Sequence, residues 1–578
     1  MRHDTDRYGR KGGRGRDQSQ GSGRITRWMC YGRLAALALG AALLGGCAMD
    51  DGLAPGNDSI TEAELREAVF TLAHDSMGGR LAGTDDLDRA SDWIRSRFDE
   101  LGLEPAGDNG TYDQYFDLVW SSLGEGSRLT VTGAGGARRP GQGWTPSSSG
   151  AAGSAAGQVV FAGFGLVEPR LAYDDYQGED VGGRIVLVLD REPGVDDPAS
   201  PFDGVVTTES SRDWRKVLAA QERGAAGVLF VRDVHNRDDI SDWQAYHQGL
   251  WPAERRRIER FTLGAWLDDI EIPAAEISVE LARRLVAGSG QTLEALAQQA
   301  ETAEGGLGVV ALPGAQVRFN TAIQRHVEQG RNVLAMIEGS DPDLQDEVVI
   351  IGAHHDHNGT DGGVVYNGAD DDASGTVGVL EVAEAYAEAA EAGERPERTV
   401  LFALWDAEER GLLGAWYYTL RPLFPLQRTV AYLNLDMIGR HEEVPVEGGG
   451  RFGGLEPQTA ESNANAINIL GYSRAPTLAA VVEDANEATA LTLRFRYDNN
   501  GSNLLRRSDH WPFLHNDVAS VWFHTGLHPD YHTPDDDPER IEYEKMTRIV
   551  RLVHQTSWEA ANGLDDYVVA PMGPKPPG

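Results

Sequence analysis

The chain has 578 residues, of which 41% are hydrophobic and 25% charged, so it exceeds one hydrophobic core and is too apolar for a disordered polymer; a lone small binding module is excluded. Its 90 acidic and 52 basic residues give a formal net charge of -38, a surface that repels phosphate backbones and argues against nucleic acid as a partner. The 69 glycines follow no fixed period, which leaves collagen-like and solenoid architectures without support.

At the N-terminus, Arg24, Arg27 and Arg33 precede an apolar run from Leu34 to Leu44 that closes on Leu44-Gly45-Gly46-Cys47. A basic region, a short apolar region and small residues form a secretory signal over 1–46, too short to span a bilayer as a helix. A Cys directly after Leu-Gly-Gly resembles the bacterial lipobox, which implies that Cys47 is acylated and becomes the first mature residue. The implied location is the bacterial cell envelope. Because Ala48 and not Asp follows, the outer membrane is favoured, with membrane contact through the anchor only. Removing Cys30 with the leader and lipidating Cys47 leaves no thiol pair for a disulfide.

Residues 47–58 read as a polar tether. Thr61 and Glu64 then fit a capping box before a helix carrying Leu65, Val69 and Leu72, and Leu87, Ala90, Ile94, Phe98 and Leu101 share one face of a second helix ended by Gly102. From Gly133 to Gly157 the composition turns to Gly, Ser, Ala and Pro, the texture of a flexible boundary. Short strands follow at Val159–Phe161, Ile185–Leu189 and Val228–Val231, with helices at Trp214–Arg223 and Glu280–Val286, a compact α+β unit. From about Asn320 strands alternate with long helices, as in a doubly wound α/β sheet. The resulting map has a catalytic domain in two pieces, 59–128 and 317–562, an insert over 129–316, and a disordered tail over 563–578.

Four apolar runs in the C-terminal half each lead into potential metal ligands. Val348–Ala353 runs into His354-His355-Asp356-His357, Val400–Trp405 into Asp406-Ala407-Glu408-Glu409, and Val430–Leu435 into Asp436. Val518–Phe523 leads through a short loop to His528 and Tyr531-His532. Gly368-Ala369-Asp370-Asp371-Asp372-Ala373-Ser374-Gly375 opens the helix between the first two strands. Open α/β sheets place sites at the carboxyl ends of strands, so these clusters could meet in one crevice. Oxygen and imidazole donors without thiolate suit zinc or a similar divalent ion. Two such ions would need one shared carboxylate and a free carboxylate to move the proton.

The blocks Gly352-Ala353-His354-His355-Asp356, Asn367-Gly368-Ala369-Asp370-Asp371, Glu408-Glu409-Arg410-Gly411-Leu412-Leu413-Gly414, Asn434-Leu435-Asp436-Met437-Ile438-Gly439 and Tyr531-His532-Thr533-Pro534-Asp535 resemble the co-catalytic zinc aminopeptidase family that also contains glutamate carboxypeptidase. Ser508-Asp509-His510 and Gly79-Arg80-Leu81-Ala82-Gly83-Thr84 match further family blocks. The resemblance implies two Zn2+ ions per chain, with His354 and Asp436 on one, Glu409 and His532 on the other, and Asp371 bridging. It makes Glu408 the general base and acid that activates a bridging water, and Asp356 a supporting carboxylate behind His354. His355, His357 and His528 gain no role and are expected at the rim or in structural positions. Ser508-Asp509-His510 is expected to shape the pocket. Gly182-Gly183-Arg184-Ile185-Val186-Leu187 and Ala220–Val228 resemble a protease-associated domain, matching the insert.

The implied activity is a dizinc metallo-exopeptidase removing N-terminal residues from peptides. The alternatives are a carboxypeptidase of the glutamate carboxypeptidase type, which needs a cation such as Arg494, Arg496, Arg506 or Arg507 in the pocket, and a non-catalytic binding lipoprotein on the same fold. The excursion from Glu442 to Asn503 is expected to carry specificity as a long loop.

Overall fold

Two amphipathic helices open the described part of the chain, which in this computed structural model comprises residues 53–133, 135–195, 197, 199–204, 206–563 and 567–570. The leader, Cys47 and the final residues 571–578 lie outside the described residues. Helix α1 (Glu62–Leu72) starts where the Thr61 side chain accepts the Glu64 N–H, and it buries Leu65, Val69 and Leu72. Helix α2 (Asp85–Glu100) buries Leu87, Ala90, Ile94 and Phe98, and it ends at Gly102, whose φ of +68° is the left-handed conformation that glycine adopts without strain. Strand β1 (Asp113–Leu123) follows.

The chain then enters a seven-stranded sheet through β2 (Gly153–Phe161), β3 (Ile185–Leu189), α3 (Asp213–Glu222), β4 (Gly227–Val231), β5 (Ala274–Ile277) and β6 (Val310–Thr321). Strands β2, β3, β4 and β5 run parallel in that spatial order, with β6 antiparallel beside β2.

It returns with β7 (Ile323–Ile337), β8 (Val348–His354), α4 (Gly375–Glu391), β9 (Thr399–Trp405), α5 (Leu413–Leu420), β10 (Thr429–Leu435), β11 (Ala466–Leu470), α6 (His510–His515), β12 (Ser520–His524) and α7 (Tyr543–Asn562). These strands and β1, with the short strands Glu104–Pro105, Thr262–Leu263 and Thr492–Arg494, form a ten-stranded sheet in which β7, β9, β8, β10, β12 and β11 lie side by side. The central four, β9, β8, β10 and β12, are parallel, while β7 and β11 run antiparallel at their flanks. Every residue of β8 and β9 is buried, as continuous aliphatic runs require when helices cover both faces. One face packs Val349, Ile351, Phe402 and Leu404 against α1, α2, α4 and α7. The other packs Ile350, Leu401, Ala403 and Tyr432 against Ala415, Tyr418 and Phe513 of α5 and α6. The fold is therefore a mixed-sheet, doubly wound α/β unit with a second, smaller sheet.

Five expectations are corrected. The stretch 133–157 is no flexible boundary: it contains the strand Trp144–Pro146 and the start of β2, with Trp144 fully buried. Its small residues allow close approach, since a Cβ on Gly150 would lie 2.2 Å from the Ala274 nitrogen. The end of the tether is docked, with Ala54 N donating to Gln555 Oε1 at 2.7 Å and Asn57 Nδ2 to the Arg551 carbonyl at 3.1 Å. Of the tail, Tyr567 and Val569 pack against the core, and Ala570 exchanges hydrogen bonds with Arg474. The stretch 129–316 does not stay with the second sheet, because Thr262–Leu263 pairs with β1 and Phe261, Leu263 and Trp266 join the main core. Finally, 442–503 is no simple loop: it supplies β11, the helix Pro476–Ala485 and the edge strand Thr492–Arg494.

Candidate active site

The four sequence clusters meet at the carboxyl ends of β8, β9, β10 and β12, on both sides of the point where the chain order reverses between β8 and its neighbours. His354 ends β8, and its Nε2 lies 3.3 Å from Asp371 Oδ1, 3.8 Å from Asp436 Oδ2 and 3.8 Å from Glu408 Oε2. The other oxygen of Asp371, Oδ2, lies 2.9 Å from His532 Nε2, which is itself 3.1 Å from Glu409 Oε1. Asp371 thus turns Oδ1 to His354, which also lies near Asp436, and Oδ2 to His532, which also lies near Glu409. Two donor sets share one carboxylate, as a two-ion site requires.

Unsatisfied atoms support a cation there. His354 Nε2 and Asp371 Oδ2 are buried and make no hydrogen bond among the described residues, although the first lies 3.3 Å from Asp371 Oδ1 and the second 2.9 Å from His532 Nε2. Buried polar atoms left this way carry a desolvation cost of about 1–3 kcal/mol each, which a divalent ion would remove. Donor atoms of His354, Asp372 and Asp436, and of His357, Asp371 and Glu409, also gather within 4.8 Å of one another. Asp372 is nonetheless a poor ligand, because its Oδ1 accepts the N–H groups of Gly375 and Met437 and its Oδ2 that of His354. Of the two neighbours, Asp371 keeps its oxygens free for the site.

Glu408 and Glu409 follow β9 in one turn of 3-10 helix, with Glu408 Oε2 3.8 Å from His354 and Glu409 Oε1 3.1 Å from His532. Burial pushes the Glu408 carboxyl well above its ordinary range; His354 opposes this, and Asp509 and Asp436 reinforce it. Asn358 Nδ2 donates to Glu409 Oε1 at 2.9 Å. For His532 burial acts downward, but Glu409 and Asp371 prevail and raise it to about 10. Asp356 supports the site in an unexpected way: its Oδ1 accepts the Glu408 backbone N–H at 2.8 Å, while the ring Nδ1 of His354 is 3.7 Å from that oxygen and 3.2 Å from the Asp356 carbonyl.

The unassigned histidines are not at the rim. His357 is fully buried with Nδ1 2.9 Å from Glu409 Oε1. His355 shares a 2.8 Å hydrogen bond with Ser91 Oγ, and His528 Nε2 lies 3.2 Å from Asp370 Oδ2. Ser508 does more than shape a pocket, because its hydroxyl donates to Asp436 Oδ2 at 2.5 Å. Behind it runs a buried chain in which Trp405 Nε1 donates to Tyr432, Tyr432 to Asn434 Oδ1, and Asn434 Nδ2 to Ser508.

Two supports escaped the sequence reading. Arg80 is fully buried and donates to the carbonyls of Leu72, His355, Asn367 and Gly368, tying the loop after β8 to the loop before Asp371. Asp536 accepts the backbone N–H groups of Asp370 and Asp371 at 3.1 Å. The only signals were the matched block at Arg80 and the acidic run after His532. A narrow cleft leads to the site, lined by Glu408, Leu504, Arg507, Trp522, Leu527 and Tyr531 among others.

The family model described as "Peptidase family M28" matches residues 332–557, the stretch that supplies every one of these candidate ligands. The chain contains a peptidase family M28 domain. Outside the matched stretch, α1, α2 and β1 join the same core and sheet. Among curated relatives, "Probable glutamate carboxypeptidase AMP1" of Arabidopsis thaliana is 30% identical over 425 residues, 69% of this chain and 52% of that protein. "Aminopeptidase NAALADL1" of Mus musculus is 35% identical over 253 residues, 42% of this chain and 31% of that protein. The chain thus spans about half the length of the first of these and less of the second. Among solved structures, the "Aminopeptidase from Aneurinibacillus sp. strain AM-1" is 18% identical with a TM-score of 0.45, covering 89% of this chain and 98% of that one.

Proposed function

We propose that the protein is a zinc-dependent metallo-exopeptidase that removes N-terminal residues from peptides, with two ions per chain. The observation that carries this reading is the divided carboxylate of Asp371, with His354 beside one oxygen and His532 beside the other, each histidine having a further carboxylate nearby, Asp436 and Glu409 respectively. His354, Asp436 and Asp371 would hold one ion, and Glu409, His532 and Asp371 the second. Bound zinc would supply Lewis-acid polarisation of the scissile carbonyl and a lower pKa for water, towards roughly 7.

The chain's own residues do the rest. Glu408 takes the proton of the attacking water and returns it to the leaving amine, a role for which a buried carboxyl of raised pKa is suited. Its backbone is fixed by Asp356. Ser508 holds the Asp436 carboxylate in one orientation. The M28 match and the curated aminopeptidase relative support an exopeptidase.

One observation favours a second reading. Of the four arginines in question, Arg496 pairs with Glu442, Arg506 with Asp203, and Arg494 donates to the Ser462 carbonyl. Arg507 lines the cleft and donates to Tyr531 at 3.4 Å, and among the described residues it forms no ion pair. A cation there suits a substrate carboxylate, as in a carboxypeptidase of the glutamate carboxypeptidase type. Turnover of aminoacyl anilides against N-blocked peptides ending in Glu decides between them: hydrolysis of the free-amine substrates alone supports the aminopeptidase, and hydrolysis of the blocked ones alone replaces it.

The anchor is also part of the proposal. Among the described residues no helix is long and apolar enough to cross a membrane, so attachment to the envelope would rest on Cys47, outside those residues. Cys47→Ser should release the protein into the soluble fraction; membrane retention of the variant would contradict lipidation there.

A further inference from the structure

The smaller sheet has a cavity of its own. It has a volume of about 280 Å3 and opens beyond the carboxyl ends of the parallel strands β3, β4 and β5, the edge at which open α/β sheets bind ligands. Around it stand the carboxylates of Asp213, at the start of α3, and Glu276, on β5, together with Arg232, directly after β4. Phe230 and Ile240 supply apolar wall.

Only some of the charges in this cavity are paired with one another. Asp190 is paired with Arg237, but among the described residues neither Asp213, Glu276 nor Arg232 has an ion-pair partner within 4 Å. Glu276 accepts only the Tyr246 hydroxyl, at 2.6 Å, and Arg232 lies over the Tyr246 ring at 5.6 Å. The Trp243 indole N–H in the same wall is buried and has no hydrogen-bond partner among the described residues. Anions and a cation without ion-pair partners among the described residues, and a buried unused donor, lining one cavity complement a small molecule with both charges.

We infer that this cavity is a binding site for a free amino acid or dipeptide, with its ammonium on Asp213 and Glu276 and its carboxylate on Arg232. The volume lies just below the roughly 300–1,000 Å3 of drug-sized ligand pockets, which excludes a longer peptide. Burial raises Glu276 to about 7 and Asp213 to about 6, so both carboxylates gain from a cation beside them. The ligand class coincides with the products of the peptidase reaction proposed above, but binding here requires none of the metal-site residues.

Calorimetric titration of the metal-loaded full chain with L-leucine, leucinamide and N-acetyl-leucine tests the site. Wild type should bind leucine about tenfold or more tightly than either analogue, each of which lacks one charge. Arg232→Ala and Glu276→Gln should each lose this binding event while hydrolysing the aminoacyl anilide with unchanged kcat/KM. Two separate variants guard against one that fails to fold. Leucine binding unchanged in both variants, which would place it at the metal site, overturns the inference, as does equal binding of all three compounds or no heat in the millimolar range. Because the readout is heat and not turnover, loss of the peptidase reading would leave this result interpretable.

Discussion

At the scale of single residues, the site joins groups that would hold a metal to groups that aim them. Ser508 belongs to the second kind, since it donates to Asp436 Oδ2 and is itself held by Asn434. Removing such a support from a metal site typically costs 10–100-fold in affinity or activity. Ser508→Ala should therefore lower kcat/KM by about that factor and weaken one of two metal-binding steps, with the thermal transition little changed. A variant with full activity and full metal affinity would reduce Ser508 to packing. The ligand types were legible because His354, Glu409 and Asp436 follow apolar runs closely, His532 follows one through a loop, and Asp371 sits in the acidic stretch that opens a helix. The support of Asp436 by Ser508 was not, because 72 residues separate the partners and only the pairing of β10 with β12 brings them together. His357 misled for a related reason: a histidine three places beyond a strand-end ligand reads as a loop residue, yet the bond from its backbone N–H to the Arg80 carbonyl folds it inward.

At the scale of elements, the loops around the site are fixed by buried polar clamps. Arg80 satisfies four carbonyls from three segments, and an alanine there would leave those acceptors and a cavity behind. Arg80→Ala should lower stability by several kcal/mol, from about 1–3 kcal/mol for each buried group left unsatisfied, and should loosen metal binding because the Asn367-Gly368 turn leads directly to Asp371. A thermal melt with and without added zinc checks this: a loss that excess zinc partly restores fits the clamp, and an unchanged melt does not. The main strands and helices were legible, since runs such as Val348–Ala353 allow little but a buried strand. The segment 133–157 was not. Gly, Ser and Ala read as linker, whereas here their small size permits backbones to pack closely, as at Gly150 against Ala274 and Gly157 against the Gly183 carbonyl.

At the scale of the whole molecule, the segment after β3 reaches across to the elements beside the cleft. Asp203 pairs with Arg506, and Glu209 accepts the Trp511 indole N–H at 3.3 Å; Arg506 and Trp511 flank Arg507 and Ser508 in sequence. The smaller sheet is thus tied to the cleft wall. Asp203→Ala should raise KM for peptide substrates severalfold while leaving metal content at the wild-type value, and a variant indistinguishable from wild type in KM would show that this contact does not shape substrate entry. That the middle of the chain makes its own sheet was legible from its short strands. Its partial return to the main core at 261–266 was not, because Phe261, Leu263 and Trp266 carry no mark of which core will bury them.

The central claim is that Glu408 moves the proton while Glu409 holds a metal, although the two are adjacent in sequence. Metal content and peptide turnover measured side by side on Glu408→Gln and Glu409→Gln test it most directly. The account predicts two zinc ions in wild type and in Glu408→Gln, with turnover of the latter reduced by about a hundredfold to ten-thousandfold, and a lost or weakened ion in Glu409→Gln. Full activity in Glu408→Gln, or loss of metal from that variant while Glu409→Gln keeps both ions, would contradict it.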